Sequence, residues 1–210
     1  RLHLAAYRLS FEHPRTGGPV SWSVEPQWDL DARSLLRRAV IPPTETDAYR
    51  CRHGASDDSG GGLYLDALGP FHLMHSDPEG DAGIDAGFDV GVGIEAAHLY
   101  HRRLNRRVGF SGTEENCPRW IRGDHAPEAF TIRENGVRYE LRFDSGYSVG
   151  LFLDQRDNRR RLLTGHVAAG FPLHGVPVPK AEILNCFAYT CAFSVSAALG
   201  GARTTSLDLS

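Results

Sequence analysis

The sequence predicts a mixed chain: a small, β-rich central domain of α+β type, followed by the first half of a nucleotide-binding α/β domain. Three stretches carry that prediction. Near the C-terminal end, Ile183 to Phe187 form an apolar run of buried-strand length, Ala188-Tyr189-Thr190-Cys191 is a polar hinge, and Phe193 to Leu199 has the small, apolar composition of a buried helix. Gly200 and Gly201 stop that helix, Arg203 to Leu207 is a second β-branched run, and the run ends on Asp208. Strand, turn, helix, strand and acid is the order in which such a unit brings its turn to a ligand and its acid to ribose hydroxyls, with the acid about 20 residues past the turn. In residues 128–143, two alternating runs flank Glu134-Asn135-Gly136, and an asparagine-glycine pair supplies the positive backbone angles of a two-residue hairpin turn. In residues 49–76, a short strand, a glycine-rich acidic loop, a strand at Leu63 to Ala67 and a Gly69-Pro70 turn into Phe71 to His75 read as a β-meander.

The totals bound the remaining possibilities. A chain of 210 residues with 41% hydrophobic content supports one large domain or two small ones around a real core. Net charge is -3, so any contact with nucleic acid has to use a local basic patch. The cysteines at 51, 117, 186 and 191 form no CxxC pair and have no histidine partners at zinc spacing. Neither a bound metal nor a disulfide framework is expected. No run approaches the roughly 18 apolar residues of a membrane helix and no charged-then-apolar leader opens the chain, so no membrane contact is expected and the cytoplasm is the expected compartment. The chain opens on Arg1 inside a predicted strand and stops two residues after Asp208. It is therefore expected to be a piece of a longer protein, truncated inside a domain at both ends.

Taken in order, Leu2, Leu4 and Ala6, then Leu9 and Phe11, alternate in residues 1–28; His13 to Gly18 is a turn cluster and Val20 to Val24 is extended again. This predicts a β-hairpin closing a sheet. The phrase LHLAAYRLSFEHPRTGG resembles the C-terminal end of RNA pseudouridine synthases of the large-subunit rRNA type, with Ala5 where that family usually has histidine. That family's catalytic aspartate would precede Arg1, so no catalytic residue is implied. In residues 29–47, Leu30, Leu35, Leu36 and Val40 suit one short amphipathic helix that Pro42-Pro43 ends, as a connection between domains. The following HGASDDSGGG lacks the lysine and hydroxyl of a phosphate loop, and nothing near it completes a metal shell. Residues 77–92 carry little pattern. Ile94, Ala97, Leu99, Leu104 and Val108 then give a partial helical face bearing the basic cluster HRRLNRR. Such a helix is either a solvated face or a phosphate contact through Arg102, Arg103, Arg106 and Arg107, since arginines neutralise phosphates without reading sequence.

The phrases GYSVGLFLDQRDNRRRLL and EILNCFAYTCAFSVSAALGGARTTSLDLS, in that order across residues 146–210, resemble class I S-adenosylmethionine-dependent methyltransferases of the large-subunit rRNA type. Residues 48–144, with their acidic loop and hairpin, resemble that family's small central domain. The resemblance implies a Rossmann-like methyltransferase domain with S-adenosyl-L-methionine as cofactor. It implies that Phe187, Ala188, Tyr189, Thr190 and Cys191 give backbone contacts and a wall to the cofactor, that Asp208 holds its ribose, and that Gln155 and Arg156 orient the loop or touch the ligand. Cys191 departs from the family, which normally has glycine there because the backbone approaches the methionine part of the cofactor. Arg159 and Arg160, with their neighbours, are either a solvated helix face or a second RNA-facing patch. The group that selects the methyl acceptor is expected after Ser210, so the catalytic residues are unknown, and neither Cys186 nor Cys191 is assigned as a nucleophile.

The expected organisation is a pseudouridine-synthase-like tail over 1–28, a linker over 29–47, a small α+β domain over 48–144 and the start of a methyltransferase domain over 145–210. The expected function is methylation of RNA, of 23S-type rRNA in particular, by a parent of which this piece alone is inactive. Two alternatives stand beside it. One is an RNA pseudouridine synthase with a degenerate, methyltransferase-like RNA-binding appendage, which Cys191 favours; the other is a noncatalytic RNA-binding module of hairpins and basic helix.

Overall fold

The computed structural model describes residues 7–23, 32–54, 57, 62–76, 84, 89, 94–104, 117–144 and 148–209. The first alternating stretch forms the predicted hairpin, β1 (Arg8–Glu12) paired antiparallel with β2 (Pro19–Ser23). Its turn is closed by the His13 ring, whose Nδ1 accepts the amides of Arg15 and Thr16 at 3.2 Å each. Among the described residues this hairpin pairs only with itself. Residues 1–6 and 24–31, which include Leu2, Leu4 and Val24, lie outside the described residues. Residues read from sequence as a linker form α1 (Ala32–Ala39), whose Arg37 pairs side-on with Asp57. Asp57 also accepts the His53 amide at 2.6 Å, so this acid links α1 to the end of the strand that His53 closes.

The meander forms as expected: β3 (Ala48–His53), β4 (Leu63–Leu68) and β5 (Phe71–Ser76) pair antiparallel, with Leu68 opposite Phe71 across the Gly69-Pro70 turn. Over its described part, residues 94–104, the predicted basic helix does not form. His98–Arg103 is instead a strand, β6, parallel to β5, and β7 (Arg119–Arg122) completes the order β3-β4-β5-β6-β7. The reason is burial on both faces of the sheet. Leu99 and His101 face one side, Tyr100 and Arg102 the other, and all four are at most 9% exposed. The polar side chains that looked solvated are bonded inside: His101 Nε2 to Ser76 Oγ at 2.9 Å, and Arg102 Nη2 to His75 Nδ1 at 3.1 Å. A buried polar group tolerates such a position only when it is bonded in this way.

Asparagine-glycine makes the tight turn between β8 (Phe130–Glu134) and β9 (Val137–Leu141), with φ of 52° at Asn135 and 77° at Gly136. Phe130, Ile132 and Leu141 of this hairpin join Leu68, Phe71 and Tyr100 of the sheet in one apolar cluster. Val149, Leu151 and Ala192 belong to the same cluster, which therefore runs from the central sheet into the C-terminal unit. Full burial of each large apolar side chain here contributes roughly 1.5–3 kcal/mol.

After a 3-10 turn at Leu153–Gln155, α2 (Arg156–Thr164) leads through the small hairpin β10 (His166–Ala168) and β11 (Phe171–Pro172) to β12 (Glu182–Cys186). The loop after β12 enters α3 (Ala192–Leu199), and β13 (Arg203–Leu207) returns parallel to β12. This is the predicted strand, turn, helix and strand. The Ala202 amide bonds Ala197 O at 3.0 Å and the Gly201 amide bonds Ala198 O at 2.9 Å, the paired bonds with which a glycine-ended helix satisfies its last carbonyls. A Cβ at Gly200 would lie 2.6 Å from Leu162 O, so only glycine lets α3 rest its end on α2. No helix among the described residues is long and apolar enough to cross a membrane.

Candidate functional site

The loop Phe187 to Cys191 stands at the C-terminal end of β12, beside the C-terminal end of β13. In parallel α/β sheets that is where ligands bind. Its backbone is unusual. Phe187, Tyr189 and Cys191 all have positive φ, at 57°, 50° and 61°, and none is glycine. Side-chain-bearing residues hold such angles only when surrounding structure fixes them, and they concentrate at ligand sites.

The fixing contacts are specific. The Tyr189 amide donates to Asp208 Oδ2 at 2.6 Å, the Ala188 amide to Leu207 O at 3.2 Å and the Cys191 amide to Ala188 O at 2.7 Å. From the opposite side, Thr190 Oγ1 donates to Gly150 O at 2.7 Å, the Tyr189 hydroxyl reaches Ser148 O at 3.4 Å, and the Tyr189 ring lies 5.6 Å from that of Phe152. Beneath the loop, Asn185 Nδ2 bonds Ser194 Oγ at 2.9 Å, and Ser194 Oγ bonds Ser206 Oγ at 2.7 Å, tying β12, α3 and β13 together. Phe187 is 85% exposed and Tyr189 43%, so two aromatic rings stand at the loop surface while Ala188 is buried beneath them.

The structure thus brings Phe187, Ala188, Tyr189, Thr190, Cys191 and Asp208 together. The side chains of Gln155 and Arg156 contact their neighbours rather than the loop: Gln155 meets Asp154 at 2.9 Å and Asn158 at 2.8 Å, and Arg156 meets Asp157 at 3.4 Å. Ser148, Gly150 and Phe152 hold the loop in the way expected of those two. The signal for them was present in SVGLF, where Gly150 takes a φ of 116° and a Cβ would meet Glu140 O at 3.3 Å.

The expected RNA contacts divide in the same manner. Arg159 is 2% exposed, pairs side-on with the buried Glu134 at 2.6 and 2.8 Å, and donates to Phe152 O at 2.7 Å. Its guanidinium also lies 5.6 Å from the centre of the Phe193 ring. It is a structural tie, neither solvated nor RNA-facing. Arg102 is likewise buried, against His75. Both expectations are corrected by burial: each guanidinium is at most 8% exposed and donates to an internal acceptor, a carboxylate for Arg159 and an imidazole for Arg102. Arg103 is exposed at the end of β6, and Arg160 is half-buried with Nη2 3.2 Å from Val167 O. Arg106 and Arg107 lie outside the described residues.

Comparison with known proteins places this arrangement. Residues 96–210, more than half of the chain, match the family described as S-adenosylmethionine-dependent methyltransferase. A ribosomal RNA large subunit methyltransferase of Deinococcus radiodurans is 38% identical over 198 residues, which cover 86% of this chain and 43% of that protein. Ribosomal RNA large subunit methyltransferase I of Alteromonas mediterranea is 38% identical over 191 residues, with the same coverage of 86% and 43%. The chain thus spans less than half the length of these curated relatives. Among solved structures, a SAM-dependent methyltransferase from Streptococcus mutans superposes with a TM-score of 0.60 at 26% identity, covering 96% of this chain and 51% of that one. A methyltransferase complexed with SAH superposes with a TM-score of 0.59 at 27% identity, covering 96% of this chain and 50% of that one. On the strength of the family match and the geometry at the ends of β12 and β13, the chain belongs to the S-adenosylmethionine-dependent methyltransferases.

Proposed function

We propose that the whole protein transfers a methyl group from S-adenosylmethionine to RNA, with 23S-type ribosomal RNA as the substrate class, and that residues 187–191 with Asp208 form the cofactor site. The observation that carries this is the bond from the Tyr189 amide to Asp208 Oδ2 at 2.6 Å, which sets loop and acid side by side at the ends of two parallel strands. The residues fit an adenosyl cofactor: a carboxylate for ribose hydroxyls, a left-handed backbone that allows close approach, and exposed aromatic faces at Phe187 and Tyr189. Bound there, the cofactor supplies an activated methyl group. The chain's own part is alignment and exclusion of water, since transfer from a sulfonium needs little acid-base help. Phe187 and Tyr189 wall the site, Asp208 orients the ribose, and Thr190, held by Gly150, fixes the loop. Of the four described arginines expected to touch RNA, Arg103 and Arg160 are more exposed than Arg102 and Arg159, and they are the proposed RNA contacts on this chain.

The names of the relatives favour methylation of ribosomal RNA, and the pseudouridine-synthase alternative gains no support from them. Residues 1–28 as a pseudouridine-synthase-like tail, 29–47 as linker, 48–144 as central domain and 145–210 as the start of the methyltransferase domain remain our proposed division.

Calorimetric titration of S-adenosylhomocysteine into the chain and its Asp208→Ala variant tests the site, with a thermal melt of each as a folding control. Loss of a charged hydrogen-bonding group lowers affinity by about tenfold or more. Equal affinity in a folded variant would remove Asp208 from the site, and no binding to the folded parent chain would remove the site altogether.

A further inference from the structure

A second concavity lies away from the strand ends, between the central sheet and residues 148–154, with a volume of about 430 Å³. Its inner end is a bonded series of buried polar side chains. Asp66 pairs with the Arg50 guanidinium, Nη2 at 3.1 Å, and meets His75 Nε2 at 2.9 Å; Arg102 Nη2 lies 3.1 Å from His75 Nδ1. A guanidinium only donates, so His75 Nδ1 accepts and the ring proton sits on Nε2, facing Asp66. At the mouth, Arg50 lies over the Tyr64 ring at 5.2 Å, and the His53 ring meets Tyr64 edge-on at 5.1 Å. The other walls are mostly apolar, with Leu104 and Phe152 among them, and Ser148 and Asp154 add a polar edge on the side of residues 148–154.

Three properties define what fits. The volume is within the roughly 300–1,000 Å³ of small-molecule sites, and apolar walls with a few convergent polar groups are their usual composition. Aromatic rings and guanidinium planes are the platforms on which unstacked bases rest, and a cation at a cavity mouth pairs with phosphate. The cavity also shares a wall with the loop site: Ser148 O takes the Tyr189 hydroxyl, and Phe152 packs on Tyr189. An enzyme acting on a base must take that base out of its stack and hold the strand while it does so.

We propose that this cavity receives one unstacked nucleotide of a single-stranded RNA segment, its base against the apolar walls and Tyr64, its phosphate at Arg50 and His53. The proposal rests on the reading of the protein as an RNA methyltransferase. It adds a nucleotide subsite built on the central sheet, with Asp66, His75 and Arg102 as positioning residues that hold Arg50 in place.

The test uses the full chain, a fluorescein-labelled single-stranded RNA hexanucleotide read by polarisation, and cytidine and guanosine 5′-monophosphates read by calorimetry. Tyr64→Leu and His53→Ala remove the mouth, and Leu104→Trp fills the cavity from a half-buried position. The expected result is RNA binding weakened about tenfold by Tyr64→Leu, the size of one lost base-aromatic stack. The same result is expected of Leu104→Trp, with melting temperature and S-adenosylhomocysteine affinity unchanged. Unchanged RNA affinity in folded variants overturns the proposal, as does absence of RNA binding by the parent chain. Free monophosphates that bind as tightly as the hexanucleotide overturn its assignment to a strand. If Leu104→Trp does not fold, the two mouth variants decide alone. RNA binding that responds to them while S-adenosylhomocysteine fails to bind upholds the subsite and sinks the cofactor reading separately.

Discussion

Cys191 holds a φ of 61°, a left-handed angle that costs a residue bearing a Cβ about 1–2 kcal/mol. Glycine pays no such cost in the folded state, though it gains entropy in the unfolded one. Cys191→Gly is therefore expected to stabilise the chain by about 0.5–1 kcal/mol, seen as a rise of about 2 °C in the melting temperature, without weakening S-adenosylhomocysteine binding. A fall in melting temperature would show that the thiol contributes packing worth more than the strain. His75 and Asp66 give the chain an acid-sensitive point. Burial, with the charges of Arg102 and Arg50, holds His75 below the usual histidine range despite its bond to Asp66. For Asp66, burial alone would raise the pKa, but the hydrogen bonds from His75 and Arg50 outweigh it and the net shift is downward. In both cases the unfolded chain binds protons first, so stability rises with pH across each window. The expected profile is full stability near pH 7, a first loss as the pH falls below the ordinary histidine value of about 6.5, and a second as it falls below the ordinary aspartate value of about 3.9. Urea unfolding at stepped pH checks this; burial holds His72 below the usual histidine range as well, so His75→Gln should shrink the first loss and leave the second.

Among the described residues hairpin β8–β9 belongs to no larger sheet, and side chains attach it together with two backbone bonds, Asp47 N–H to Arg133 O at 3.0 Å and Gly136 N–H to Glu45 O at 2.8 Å. Glu134 takes Arg159 of α2 side-on, Tyr139 meets Ser196 of α3 at 2.8 Å, and Arg133 bonds Asp47 ahead of β3 at 2.6 and 3.1 Å. Removing one partner from a buried ion pair strands the other, which costs about 3–5 kcal/mol. Glu134→Gln and Arg159→Ala are each expected to lose about that much in urea unfolding. Arg159→Lys is not expected to rescue, because an ammonium cannot span both carboxylate oxygens and reach Phe152 O as well. Arg203→Ala breaks a pair with Glu182 in which both side chains are more than 70% exposed, and it should leave stability unchanged. An equal loss at both places would mean that the buried pair holds nothing the exposed one does not.

Across the whole molecule, what the sequence revealed and what it concealed have the same cause. The Asn135-Gly136 turn, the meander and the order β12, α3, β13 were legible because each is dictated by neighbours in the chain: turn angles, alternation, and a helix stopped by Gly200-Gly201. So was the meeting of the loop with Asp208. Strand β6 was misread because its arginine and histidines find partners on β5, and no local pattern announces a partner more than twenty residues away. Arg159 was misread for the same reason, its partner Glu134 being equally distant. The cavity was invisible because its walls come from four separate stretches. The apolar cluster that joins Ala48 and Phe71 to Phe130, Leu151 and Ala192 shows how far this reaches. A core whose members are so widely spaced has a high contact order and closes slowly. During synthesis the central sheet therefore leaves the ribosome with one face uncovered. The segment that seals it, carrying Ala192, emerges long after Phe71 and Tyr100 have needed shelter, so the nascent chain passes through a stage in which a chaperone has an apolar surface to hold.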